Sequence, residues 1–435
     1  MIKNIIKFFF IIAFCQGLLF YIGIPNIIYK QIILIFTFLL VIIFLILKNK
    51  LDFEKRHDRT FKILLFLNLL IFFASFVINS SPNIPSLSYL LYFLPGFLIY
   101  FLIRKKIFEF KELKNLNTLF FVVFLIQIFA SIIKLIFIGT QEAIVGTIHY
   151  SGGALNTIVP LIGISMLSSF YLFHKNDKMY LFLILGFIFM GWTGEKRGIY
   201  FYLIILFLFG YFSYLVFLKV NFKSQLKIIF VRLPFIVLIL YAIFYFGVRF
   251  SPTLNPERIV GGSFDMDHVS EYIYQYSYRT NEDGLGIGRL SGLSTSFDYF
   301  ITKSDLKTLF FGQGPSTLVG QFDDVNSTQF GVASYLGING WTTSLISTGF
   351  FGAILFSLIY FFISYNCYKV FLIEKNKYWR SVIFGTYLIC FVFMLDFFTY
   401  TRASFNSVPL NLILLYFFSV IMNRYDNLKH NKIKI

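Results

Sequence analysis

Residues 199–218 read IYFYLIILFLFGYFSYLVFL, twenty positions without a charge. A run of that length spans a hydrocarbon core of about 30 Å as a helix, and within lipid a helix satisfies its own backbone. The stretch begins abruptly. Gly194-Glu195-Lys196-Arg197-Gly198 precedes it, and a second apolar run, 179–193, precedes that. So short a connection leaves its charges at the membrane surface, where a charge is costly and calls for a partner or a ligand.

The same signature recurs along the whole chain. Of 435 residues, 57% are hydrophobic and 14% charged, whereas a soluble domain carries about 25% charged residues. The pattern predicts an all-α polytopic membrane protein of about twelve transmembrane helices. They fall near 5–23, 28–47, 63–79, 88–103, 118–138, 153–173, 179–193, 199–218, 229–248, 343–367, 381–400 and 405–422. The chain then divides into spans one to nine (1–248), one large polar loop between spans nine and ten (249–342), and spans ten to twelve with a tail (343–435). The first run lacks a small-residue cleavage site and is expected to stay as a helix. Cys15, Cys367 and Cys390 lie in or beside apolar runs, so no disulfide framework is expected.

The net charge of +17 has a topological reading. With both termini in the cytoplasm, most of the 38 Lys and Arg fall in short inside loops, as the positive-inside rule requires. Nucleic acid is not needed to explain the charge. The large loop is then extracytoplasmic, beyond the reach of ATP or a nucleotide sugar. Bond-forming chemistry there needs a donor already activated and already across the membrane.

The few cations left on the outer side are therefore informative. Lys196 and Arg197, flanked by Gly194 and Gly198, suit a diphosphate, which arginine meets with paired hydrogen bonds. Arg402 lies in the turn between the last two spans, Arg249 at the end of span nine, and Arg289 inside the loop after Gly284-Leu285-Gly286-Ile287-Gly288. Lys134 reads as a snorkelling residue near the end of its span. Tyr272, Tyr274, Tyr276 and Tyr278 alternate; on a strand they would line one face, suited to sugar rings or to the lipid interface. Asp265-Met266-Asp267-His268 is the one metal-like cluster, and a solvated acidic turn is the commoner use of such a sequence. His149 is a lone outer histidine, more often structural than a base. Asp396, inside span eleven, reads as a partner to a polar group or as a proton relay. Phe310-Phe311-Gly312-Gln313-Gly314-Pro315 lacks the Lys of a nucleotide-binding loop.

Taken in order, these features resemble the O-antigen polymerases (Wzy type) and the related O-antigen ligases. The matching residues are Lys196-Arg197-Gly198, Arg289, Gly312-Gln313-Gly314, and Asn339 followed by Gly349-Phe350-Phe351-Gly352. Where the ligases carry a histidine before the Asn, this chain has Ile338, which favours a polymerase. The resemblance implies a glycosyltransferase of the bacterial inner membrane that uses no cofactor and no metal. Its donor and acceptor are polyprenyl-diphosphate-linked oligosaccharides. Membrane lipid and a chain-length regulator protein are further partners, and nucleic acid is not one. Lys196, Arg197, Arg249, Arg289, Arg402 and Tyr274 would bind substrate, with Asp323, Asp324 and Asn339 serving the chemistry. The rival readings are an O-antigen ligase acting on a lipid A core, a polysaccharide flippase or transporter, and a sensor or adhesin whose loop binds a partner.

Overall fold

The computed structural model describes residues 2–47, 58–79, 90–105, 107–139, 146–149, 153–174, 177–194, 198–219, 234, 237–238, 241–278, 288–302, 304–315, 339–401 and 407–433. Among these residues every regular element is helical. Eight helices are long and apolar enough to cross a membrane. They are α3 (Asn26–Ile46), α4 (Arg59–Ile78), α6 (Phe110–Ile138), α7 (Leu155–Phe173), α9 (Gly198–Phe217), α14 (Gly340–Phe371), α15 (Lys377–Leu395) and α16 (Val408–Ile433). The chain is thus an all-α, multi-pass membrane protein.

The remaining expected spans are not shown as such. At 88–103 and 179–193 lie two shorter apolar helices, α5 (Leu94–Arg104) and α8 (Lys178–Thr193), 11 and 16 residues long. The span at 229–248 lies partly outside the described residues; 234, 237–238 and 241–248 are described and helical, the last within a helix, α10, at 241–250. The first expected span is not one helix. It breaks at Phe14–Cys15 into α1 (Ile2–Ala13) and α2 (Gln16–Tyr21). The break is filled by the chain before α7: Gly17 N–H donates to the Thr147 carbonyl (2.8 Å), and the Thr147 hydroxyl to the Phe14 carbonyl (2.8 Å). A methyl group at Gly17 would lie 2.5 Å from the His149 carbonyl oxygen, so glycine is what admits that strap.

The helices sort by what surrounds them. α16 and α7 are sheathed on nearly all sides by other helices, while α3 and α6 leave most of their length to the outside. Phe38, Ile46, Phe137 and Phe182 are more than 60% exposed, and on a membrane helix such side chains face lipid tails. Polar contacts join the inner helices where apolar packing alone would not fix register. The Tyr416 hydroxyl donates to Asn117 Oδ1 (2.6 Å), and the Ser169 hydroxyl to the Ser381 carbonyl (2.6 Å).

One end of the bundle is closed by ions. Arg104, 1% exposed, donates from Nε to Asp58 Oδ2 (2.6 Å), from Nη1 to Asn423 Oδ1 (2.7 Å) and from Nη2 to Asp426 Oδ2 (2.8 Å). The Tyr100 hydroxyl donates to the same Asp58 oxygen (2.6 Å), and Lys62 Nζ lies 3.0 Å from the other. Burial alone would raise the Asp58 carboxyl, but the adjoining Arg104 and Lys62 outweigh that and hold it down at about 2. Lys3–Glu112 (2.7 Å) and Arg424–Glu374 (2.5 Å) lie at this same end, so both ends of the described chain meet there.

The segment between α10 and α14 rests on the opposite end, and its described residues are largely helical: α11 (Met266–Tyr278), α12 (Arg289–Thr302) and α13 (Leu306–Phe311). The expected strand of alternating tyrosines is therefore corrected to a helix. Its Tyr-x-Tyr spacing then splits the rings, because residues two apart point about 200° away from each other.

The segment is anchored by two glycines. α14 breaks at Gly349 (φ 69°), and Gly312 (φ 71°) packs its backbone against the break. A Cβ at Gly312 would lie 2.6 Å from the Gly349 nitrogen. The two carbonyls before the break find other donors: Ile346 O accepts from Gln313 N–H (2.8 Å) and Ser347 O from the Ser75 hydroxyl (2.7 Å). An interrupted helix that would strand polar backbone in lipid is thus satisfied by the loop and by α4.

Candidate functional site: an arginine held between two tyrosines

Arg289 opens α12 and lies against that same end of the bundle. Its guanidinium stands 4.7 Å from the centre of the Tyr276 ring and 4.4 Å from that of Tyr400. Nη2 also donates to the Tyr276 hydroxyl. Nε and Nη1 are shielded from solvent and have no hydrogen-bond partner among the described residues. Aromatic faces stabilise the cation, but they supply no acceptors in the guanidinium plane. Two buried, unanswered donors are expensive in an unliganded protein. They leave on different edges of the guanidinium, and each is a charge-assisted donor of the kind that phosphate or carboxylate oxygens meet.

Tyr400 is aimed there by an unusual end to α15. Residues Asp396–Tyr400 form a π-turn, a wider winding often found at functional positions. Asp396 Oδ1 accepts from the Thr401 N–H (3.1 Å) and from the Thr401 hydroxyl, and the Thr401 carbonyl accepts from Gly340 N–H (2.9 Å). Asn339 completes the fastening. It caps α14 by accepting from Thr342 N–H (2.8 Å), and it donates from Nδ2 to the Phe398 carbonyl (2.7 Å). Around Tyr400 stand Thr157, whose hydroxyl is 3.1 Å from the phenol oxygen, and Tyr202, whose ring is centred 5.0 Å away. The Tyr202 hydroxyl meets that of Thr399 at 3.0 Å.

Gly198 connects this site to the basic turn. A Cβ there would lie 2.7 Å from Tyr400 Cζ, so only glycine lets α9 begin against the ring. At the other side of the turn, the Gly194 carbonyl accepts from Asn156 Nδ2 (3.1 Å), one residue before Thr157. Gly194 and Gly198 are thus held at the first turn of α7 and at Tyr400. Lys196 and Arg197, between them, lie outside the described residues, as do Asp323, Asp324, Ile338 and Arg402.

The other expected site residues are placed as follows. Arg249 folds back on its own loop, donating from Nε to the Gly262 carbonyl (2.9 Å) and from Nη2 to that of Gly261 (3.2 Å). That use is a loop clamp. Both polar atoms of the Asn339 side chain are committed to backbone, which makes it a fastening for the π-turn. Asp265 begins α11 with its carboxylate on the N–H groups of Asp267 (2.9 Å) and His268 (3.1 Å), the action of a helix cap. Among the described residues no three His, Cys, Asp or Glu gather as metal ligands. Asp396 serves its own turn. His149 is held down to about 4 by burial, then by Lys134 and Lys30, so it is neutral at pH 7. Lys134 lies over the Tyr21 ring at 4.5 Å. Tyr274 is 63% exposed and pairs with Tyr278, away from Arg289.

Tyr276, Tyr400, Tyr202 and Thr157 are site residues that the sequence did not single out. Tyr276 was in view as one of four alternating rings, and helical spacing would have separated it from Tyr274. Tyr400, Tyr202 and Thr157 carry no local signal, since each is one polar residue near the end of an apolar run. Comparison with protein-family models and with curated proteins finds no match for this chain.

Proposed function

We propose that this protein is a glycan polymerase of the bacterial inner membrane, acting on polyprenyl-diphosphate-linked oligosaccharides at the outer leaflet. In this reading about twelve spans hold the loop 249–342 outside, with both termini in the cytoplasm. The observation that carries it is Arg289: a guanidinium sandwiched by two tyrosines, with two donors unanswered, at the end of the bundle away from the ionic lock. Lys196 and Arg197 directly precede Gly198 in the sequence. A cation between aromatic walls suits the diphosphate of a lipid carrier.

In the reaction, a hydroxyl of the acceptor sugar attacks the anomeric carbon of the donor glycan. The bond from that carbon to the phosphate oxygen breaks, and the electron pair leaves with the polyprenyl diphosphate. Arg289, Lys196 and Arg197 stabilise the charge that develops there. The hydroxyl proton passes to a carboxylate, for which Asp323 and Asp324 are the candidates. Arg402, two residues after Tyr400 in the sequence, is a further cation for the same anion in this reading. Asn339 is a positioning residue that sets the π-turn and so Tyr400. The Ile338 position favours polymerase over ligase.

The test uses purified protein and a lipid-diphosphate-linked repeat unit, with the product ladder resolved by length. Wild type should give long chains, and Arg289→Ala single units. In cells the variant should leave single repeats displayed on the outer surface, whereas loss of a flippase would trap them inside. Full-length ladders from Arg289→Ala would sink the reading. A chelator should leave the ladder unchanged, since cationic side chains meet the diphosphate.

A further inference from the structure

α11 has two working faces, and only one is used by the site described above. Tyr272 and Tyr276, one turn apart with ring centres at 5.9 Å, lie on the half-buried side, where Tyr276 meets Arg289. Tyr274 and Tyr278, with ring centres at 5.4 Å, lie on the exposed side and are 63% and 52% exposed. The exposed strip also carries Asp267, Ser270, Glu271 and Gln275, the last donating to Glu271 Oε1 (2.6 Å).

The geometry points to this strip as a binding platform for the glycan chain itself, at sugars beyond the one that carries the diphosphate. Three observations favour that occupant. Two adjacent, tilted phenol rings offer apolar faces with hydroxyl edges, which suit the C–H faces and hydroxyls of a pyranose. The flanking carboxylates and amide are acceptors and donors for sugar hydroxyls. Among its described residues the strip carries two acids and no Lys or Arg, which disfavours an anionic lipid surface. A helix is about 10–12 Å across with its side chains, so a glycan anchored at Arg289 reaches the far face of α11 only with sugars distal to the phosphate. The inference rests on the polymerase reading for its substrate, but it concerns a separate surface.

The experiment uses the full chain in nanodiscs. The probes are neutral oligosaccharides released by mild acid from the surface glycan of cells that express this chain and stripped of phosphate. Saturation-transfer NMR should show binding to wild type, about tenfold weaker in Tyr274→Ala and in Tyr278→Ala. Arg289→Ala should keep oligosaccharide binding while it loses polymerisation, which separates the two surfaces. Unchanged binding in the double variant, or none in wild type, overturns the platform. So does Tyr274→Trp if brominated lipids quench its added fluorescence, since the strip would then lie in the bilayer. If Arg289→Ala still polymerises while the tyrosine variants lose the oligosaccharide, the diphosphate reading fails and the platform stands.

Discussion

Two arginines, at opposite ends of the same bundle, differ in how completely their donors are answered. Arg104 has a partner for each nitrogen: Asp58, Asn423 and Asp426. Arg289 has aromatic walls and one phenol oxygen, with Nε and Nη1 unanswered. Both lie among buried groups, and both are cations in an apolar protein. The satisfied one ties α4, α5 and α16 together. The unsatisfied one has the form of a site awaiting an anion. Completeness of hydrogen bonding, more than burial or charge, sets the two apart.

The comparison can be broken from either side. The largest effect is expected at Arg104. Arg104→Met would leave Asp58 and Asp426 buried without their partner, at about 3–5 kcal/mol; little protein should accumulate in the membrane, and thermal melting in detergent should show the loss. A normally folded Arg104→Met would remove the contrast. Arg289→Ala should do the opposite, keeping the melting temperature while activity falls about 10²–10³-fold. Arg289→Lys, which keeps the charge and loses the fork, should fall between the two.

Acid sharpens the same contrast. The Asp58 carboxyl is held at about 2, below its usual 3.8. A depressed carboxylate contributes stability above its unfolded value and loses it as pH falls through the folded one. Stability should therefore be flat down to about pH 4 and then fall by about 2 kcal/mol towards pH 2. Asp58→Asn should abolish that step, and a step that persists would place the lock elsewhere. Gly349→Ala should cost about 1–3 kcal/mol, because it forces a positive φ on a side chain and drives a Cβ into the Phe310 carbonyl. The smallest effect is expected at Asn339→Asp, which keeps the cap and loses the donor to the Phe398 carbonyl, for about 1 kcal/mol and a modest fall in activity. A fall as deep as that of Arg289→Ala would make Asn339 a participant in the chemistry.

The long apolar helices were legible because charge-free length is a strong signal, and eight described helices carry it. The break at Phe14–Cys15 was not, since its cause is Thr147, more than a hundred residues on. Arg289 was legible as a stray cation, but the rings that hold it come from α11 and the π-turn. Alternation at Tyr272–Tyr278 misled because period two on a short polar run fits a strand, while tertiary packing made it a helix with i, i+4 pairs. Gly312 and Gly349 were each visible as glycine turns. Their use is mutual, and only their common positive φ and backbone contact explain why both are glycine.

That backbone contact has a practical consequence for chimeras. The break at Gly349 divides α14, and the half before it is completed by residues that arrive from the loop. A graft that exchanged the loop alone would bring a foreign turn to a notch shaped for Gly312. A portable module would run from the start of α11 through residue 352, and its recipient would need a hydroxyl at the position of Ser75.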